Sequence, residues 1–194
     1  MEQKILSAKE LGSGRFLSLV ELEFQDDRGR IRHWESVNRR GGTGAAFIIA
    51  RIVPDDEILL VRQFRPPAGR RMLEFPAGLI DPGETAEVTA VRELYEETGY
   101  RGRVLETFPP ACSSPGLTGE AISMVLMEVD GDACRGEEIH PHPEDSESIE
   151  CFRVALRELP EFLARQEREG VGIDSKIYTF VQGMRLRGAC GVAG

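Results

Sequence analysis

The 194-residue chain is 41% hydrophobic and 29% charged, the composition of an ordinary globular domain large enough to bury a sizeable core. Its formal net charge of −9 argues against an electrostatic grip on nucleic acid or an anionic membrane, but admits a small anionic substrate held through cations or local arginines. The longest clean apolar run, "AAFIIA" at 45–50, is far below the ~20 residues of a membrane helix. The N-terminal "MEQKILSAKELGSGRF" lacks the apolar centre of a signal peptide. Cys112, Cys134, Cys151 and Cys190 have no zinc-binding spacing and read as idle thiols, so the expected location is the cytoplasm.

In chain order, "FLSLVELEFQ" (16–25) and "IRHWESV" (31–37) alternate in strand fashion around the turn "DDRGR" and predict a hairpin. "RRGGTG" (39–44) breaks the pattern and marks a boundary. It divides a small N-terminal antiparallel β subdomain, residues 1–42, from a main domain, residues 43–194. Two strands follow, "AAFIIARIV" (45–53) and "EILLVRQF" (57–64), then an Arg/Pro/Gly loop and the short strand "MLEF" (72–75). Downstream, "EAISMVLMEV" (120–129) is a strand, and the acidic, proline-containing 131–147 is a long loop of the kind that is usually functional. "ESIECFRV" (147–154) is another strand. The segments 158–170 and 174–186 have the three- and four-residue apolar spacing of helices. The expected fold is a mixed α/β sheet domain.

Between the strand at 72–75 and the strand at 120–129 lies "GLIDPGETAEVTAVRELYEETGY" (78–100). Asp81, Pro82 and Gly83 form a turn, Thr85 can cap a helix, and Gly99 ends it. Helical spacing places Val88, Val91, Leu94 and Tyr95 on one face, and Glu93, Glu96 and Glu97 on the other. Like charges at this spacing repel by roughly 0.2–0.5 kcal/mol per pair. A solvated acidic face is one reading. A divalent cation held between the carboxylates is the other, and oxygen-only ligands favour Mg²⁺ or Mn²⁺.

Gly78, Glu84, Arg92, Glu93, Glu96, Glu97 and Gly99 follow the pattern G-x5-E-x7-R-E-U-x-E-E-x-G-U, where U is a bulky aliphatic residue. This resembles the Nudix box of the Nudix hydrolase superfamily, with Tyr100 a departure at the last position. The segments "IRHWESVNR", "VRQFRPP", "LEFPAGLIDPGET", "SSPGLTGE" and "DSKIYTF" extend the resemblance over roughly residues 15–185, to the ADP-ribose (ADP-sugar) pyrophosphatase branch.

The resemblance implies a Nudix-type α/β/α sandwich and Mg²⁺-dependent hydrolysis of ADP-ribose to AMP and ribose 5-phosphate. The alternatives are another nucleotide sugar, such as ADP-glucose or GDP-mannose, an oxidised nucleoside diphosphate, or a nucleotide-binding domain without catalysis. It further implies metal ligation by Glu93, Glu97, Glu96, the carbonyl of Ala77 and, more weakly, Glu84, with Arg92 clamping the carboxylates. A general base is expected from the acidic loop, Glu147 first and Glu150 second. Trp34 and Glu35 match an adenine-gripping pair, Arg39 and Arg65 match phosphate contacts, and Glu74, just before the box, is expected to help hold metal or ribose. Pro115 lies sixteen residues after Gly99, with Ser114 and Gly116 beside it in the substrate loop. A homodimer that exchanges N-terminal subdomains is implied as well. His33, His140 and His142 receive no role.

Overall fold

The computed structural model describes residues 2–42, 44–136, 138–142 and 148–189, with side chains as far as residue 186. Two sheets are present among them. The first is antiparallel, β1 (Lys4–Ser13), β2 (Leu17–Gln25) and β3 (Ile31–Arg39) in that order. The expected hairpin therefore supplies two strands of a three-stranded sheet. β1 escapes sequence reading because its alternation is broken by register shifts between Ile5 and Ser7 and between Glu10 and Gly12.

The second sheet is mixed and nine-stranded. Its centre is β4 (Ala45–Val53), β5 (Glu57–Arg65) and β10 (Ala121–Asp130), the last parallel to β4 over Ile122–Asp130. β5 carries β6 (Arg70–Glu74) along its outer half and β11 (Glu150–Ala155) along its inner half. Short strands complete it: β7 (Ala77–Leu79) on β4, β8 (Arg103–Thr107) and β9 (Ala111–Cys112) on β10, and β12 (Gly172–Ile173) on β6. A 3₁₀ turn, Pro66–Ala68, links β5 to β6.

Alternation along β4 explains the layering, because strand side chains point to opposite faces in turn. Ala46, Ile48, Ala50 and Ile52 are fully buried and meet Ala90 and Leu94 of α1 (Ala86–Thr98) together with Val125, Met127 and Val129 of β10. Phe47 and Ile49 face the other way. They pack with Ile58, Leu60, Leu73 and Phe75 beneath α2 (Leu159–Arg168) and α3 (Ser175–Ala189), through Leu159, Phe162, Leu163, Ile177 and Val181. Helices on both faces of a mixed sheet make the α/β/α sandwich that was expected.

Candidate active site

β7 and α1 build the site. Thr85 caps α1, its hydroxyl accepting from the amide of Val88, and Gly99 ends it at φ 77°, a left-handed conformation that favours glycine. The expected helix facing needs correction. Val88 and Val91 are exposed, at 52% and 44%, while Thr89, Ala90, Leu94, Glu97 and Thr98 are the buried positions. Glu97 is only 2% exposed because β7 lies over it and supplies a partner, the amide of Ala77 donating to its carboxylate at 2.9 Å. A hydrogen-bonded carboxylate can be buried where an unpaired one cannot. Gly78 lies against Glu93, and a Cβ at that position would displace the Glu93 carboxylate from its present place.

Arg92 is the hub. Its guanidinium donates to Glu84 at 3.1 and 3.2 Å, to Glu93 at 2.7 Å and to Glu96 at 3.0 Å. Glu84 also accepts from the Thr89 hydroxyl, and Arg92, then Thr89, hold its carboxyl down at about 2. Arg92 is itself raised, chiefly by its bond to Glu84. Arg92 thus bonds three carboxylates at once. Among the described residues no three acidic, His or Cys side chains converge on one point. Glu93 and Glu96 lean on the guanidinium, and Glu97 is turned to the Ala77 amide.

Ala77, Gly78, Arg92, Glu93 and Glu96 line a cleft of about 460 Å³, and Arg39 and Arg65 line it with them. Each of these two arginines has a carboxylate of its own. Arg39 bonds Glu120 and Arg65 bonds Glu74, both at 2.7 Å. A second cavity of about 530 Å³ shares Arg39 and Ala45 with the first and is walled by Asn38, Ile80, Pro110 and Ser123. Asn38 and Glu120 fall within the stretches "IRHWESVNR" and "SSPGLTGE", but no local pattern there marks either as a site residue. Only the fold reveals that Glu120 holds Arg39.

Other expected site residues lie elsewhere. Trp34 stands on β3, 52% exposed, its indole N–H donating to the carbonyl of Gly116 at 3.1 Å. The Ser36 hydroxyl and the Val37 amide donate to the carbonyl of Leu117. Ser114, Pro115 and Gly116 thus run beside the β3 edge of their own chain. They and the Trp34–Glu35 pair are outside the lining of the α1 cleft. Glu147, with Glu144 and Asp145, lies outside the described residues. Glu150 bonds Arg62 at 2.6 Å and Arg71 at 2.7 Å, and Arg62 chiefly lowers its pKa, so its carboxylate is a poor proton acceptor. Burial, with a further push from the Glu97 charge, raises the Cys151 thiol to about 12, in keeping with an idle cysteine.

Arginines and carboxylates that line one cleft of an α/β/α sandwich suit a phosphorylated substrate held through cations, and comparison with known proteins names the class. The NUDIX domain family model matches residues 42–172. The chain is 34% identical to an ADP-ribose pyrophosphatase of Saccharomyces cerevisiae, over 95% of this chain and 85% of that protein. It is 33% identical to an ADP-sugar pyrophosphatase of Mus musculus, over 95% and 88%. A crystal structure of an ADP compounds hydrolase superposes with a TM-score of 0.70 at 20% identity, covering 99% of this chain and 98% of that one, and so shares the fold. The chain belongs to the Nudix family. Members of that family generally use divalent metal ions. No helix among the described residues is long and apolar enough to cross a membrane.

Proposed function

We propose that the protein hydrolyses the pyrophosphate bond of ADP-ribose, giving AMP and ribose 5-phosphate, with Mg²⁺ as the working cation and Mn²⁺ as a substitute. The observation that carries this reading is the joint lining of one cleft by Arg39 and Arg65 with Glu93, Glu96 and Ala77. Arginines there can face the non-bridging oxygens of a pyrophosphate while the carboxylates opposite hold cations. The all-oxygen donor set and the glycine cradle at Gly78 fit a hard divalent ion.

In this reading Glu93, Glu96 and Glu97, with the carbonyl of Ala77, hold the metal, and Glu84 acts on Arg92 rather than as a ligand. When bound, the metal neutralises the phosphates and activates water. The protein's own residues do the remainder. Arg92 fixes the spacing of Glu84, Glu93 and Glu96. Arg39 and Arg65 orient the diphosphate, each held in turn by Glu120 or Glu74. Glu147 takes the proton from the attacking water, and Glu150 anchors the strand that follows.

The 1–42 sheet forms, in the same reading, the dimer interface and the adenine clamp. β3 is an edge strand on which Trp34 is more than half exposed, so its indole is open to stack on a base, with the exposed Glu35 next to it in the chain as the expected acceptor partner. Strand pairing sets Ile5 opposite Phe24, and Trp34 opposite Leu22. Ile5 and Trp34 are more than half exposed, so this end of the apolar face awaits a cover that a second copy supplies. Trp34 and Glu35 then serve the partner subunit's cleft. The protein is expected to act in the cytoplasm on nucleotide sugars, and neither on nucleic acid nor at membranes.

The test is release of AMP from ADP-ribose with and without Mg²⁺, across a panel with ADP-glucose and GDP-mannose. Glu147→Gln should lower kcat by about 10²–10⁴-fold, the usual share of a general base. Preference for another sugar by more than tenfold in kcat/KM would overturn the substrate. Activity that persists after chelation would overturn the metal.

A further inference from the structure

The segment Glu138–His142 is seated on the last turn of α1. The amide of His142 donates to the main-chain oxygen of Glu96 at 2.6 Å. The His142 ring lies on Tyr95, centroids 4.9 Å apart and planes 29° apart. The guanidinium of Arg101 is 4.0 Å from the centre of the same Tyr95 ring. One residue past the helix, Gly99 is approached by the carbonyl of His140 and the side chain of Ile139 so closely that a Cβ there would strike both. These contacts join a segment without regular structure to the turn that carries Glu96 and Glu97.

A helix leaves the carbonyls of its final turn without intrahelical partners, and such ends fray unless something bonds them. In α1 the Tyr95 carbonyl is taken by the amide of Gly99, and the Glu96 carbonyl by the amide of His142. Glu96 is therefore held at both ends, its carboxylate by Arg92 and its main chain by His142. The second hold is the one that lies outside the box. Tyr95 occupies an unspecified position in that pattern, and His142 lies far beyond it.

We propose that Tyr95 and His142 are positioning residues for the cation site: their ring contact keeps the His142 amide on Glu96 and fixes the turn whose carboxylate enters the cleft. The inference rests on the reading of Glu96 as a metal ligand. Carboxylates serve a cation only when their geometry is held by surrounding contacts, and loss of such a contact typically weakens affinity or activity 10- to 100-fold. The ring acts as a flat surface in this role and exchanges no proton, so a phenyl group should replace it.

The experiment measures Mn²⁺ affinity of the full chain by electron paramagnetic resonance without substrate, and ADP-ribose kinetics alongside. His142→Ala should weaken Mn²⁺ binding about tenfold and lower kcat similarly, with KM for ADP-ribose within about twofold. His142→Phe should stay within about twofold of wild type in both readouts. Tyr95→Leu should match His142→Ala, and the double variant should be no worse than either, because both substitutions remove one contact. Should His142→Ala fold poorly, Tyr95→Leu and His142→Phe carry the same comparison. Wild-type Mn²⁺ affinity in His142→Ala, or a His142→Phe variant as impaired as His142→Ala, overturns the proposal. A wild type that binds Mn²⁺ but cleaves no nucleotide sugar defeats the substrate reading and leaves this one intact. A wild type that binds no Mn²⁺ overturns it.

Discussion

The stretch from Ala77 to Gly99 and the sheet from Lys4 to Arg39 are held by different means. In the first, every polar group singled out has a partner close by: Glu97 the Ala77 amide, Glu84 the Thr89 hydroxyl, and Arg92 three carboxylates, while Leu94 and Ala90 are sealed in the core. In the second, all ten residues of β1 are exposed, and Trp34, Ile5, Leu17 and Phe16 present apolar surface. Among the described residues, its hydrogen bonds to the rest of the chain centre on the carbonyls of Gly116 and Leu117 and on the Arg39–Glu120 pair. The difference separates a frame of fixed charge, suited to chemistry, from an apolar surface of the kind that a second copy could cover.

The largest effect should come from the more rigid region. Glu97→Gln should lower turnover by at least about 10²–10³-fold, the scale of losing one preorganised electrostatic element. The amide keeps an oxygen for the Ala77 N–H, so the metal-free melting midpoint should stay within a few degrees of wild type. Glu97→Ala would remove the partner of that half-buried amide and cost about 1 kcal/mol of stability. Turnover within tenfold of wild type in Glu97→Gln at saturating Mg²⁺ would break the view of this region as a metal frame.

Next is Arg92→Lys. Lysine is a point charge without the fork that reaches Glu84, Glu93 and Glu96 together, so kcat/KM should fall about 10- to 100-fold. Comparable activity in the lysine variant would mean that charge alone suffices and that the observed geometry is incidental.

How far the sequence could be read follows the same division. Fixed spacing made Gly78, Glu84, Arg92 and the three later glutamates legible, period-two alternation made β2 and β3 legible, and apolar runs made β4, β5 and β10 legible. Helix facing was misread because hydropathy sends Val88 inward and Glu97 outward. A single backbone amide on β7, unrelated to hydropathy, reverses that choice for Glu97. β8, β9 and β12 are too short for alternation to show, and β1 is disguised by its bulges. The pairings of Arg39 with Glu120 and of His142 with Tyr95 span long loops, and no local pattern encodes them.

Smaller in size is the effect expected of the N-terminal sheet. Trp34→Ala should raise KM for ADP-ribose about tenfold or more, since stacking on a base is worth roughly 1–3 kcal/mol, and should alter kcat less. Mixing Trp34→Ala with Glu97→Gln subunits sharpens the comparison. If the clamp acts across a dimer, one site in each heterodimer carries both defects and the other carries neither, and wild-type KM returns. A monomer in sedimentation, or heterodimers that restore nothing, would confine each region's role to its own chain.

The smallest effect concerns acid, where the two regions should behave alike. Each has one carboxylate held at about 2. Beside the cleft, Arg92 is the main cause for Glu84. In the hairpin turn, burial pushes Asp26 up but is outweighed by the amides of Arg30 and Arg28 and the side chains of Arg30 and Arg32. A carboxyl whose pKa is depressed by folding stabilises the native state fully above its unfolded pKa, and the contribution is lost as pH falls toward the folded value. Stability of the wild type should thus be level above about pH 5 and decline between there and pH 2. Glu84→Gln and Asp26→Asn should each be less stable at neutral pH and show a shallower decline. Hydrogen exchange separates the regions: Asp26→Asn should deprotect amides of β2 and β3 and leave α1 unchanged, because the sheet opens on its own. If α1 loses protection in step with β2 and β3, the sheet and the cleft form one cooperative unit, and the contrast between them is one of chemistry alone.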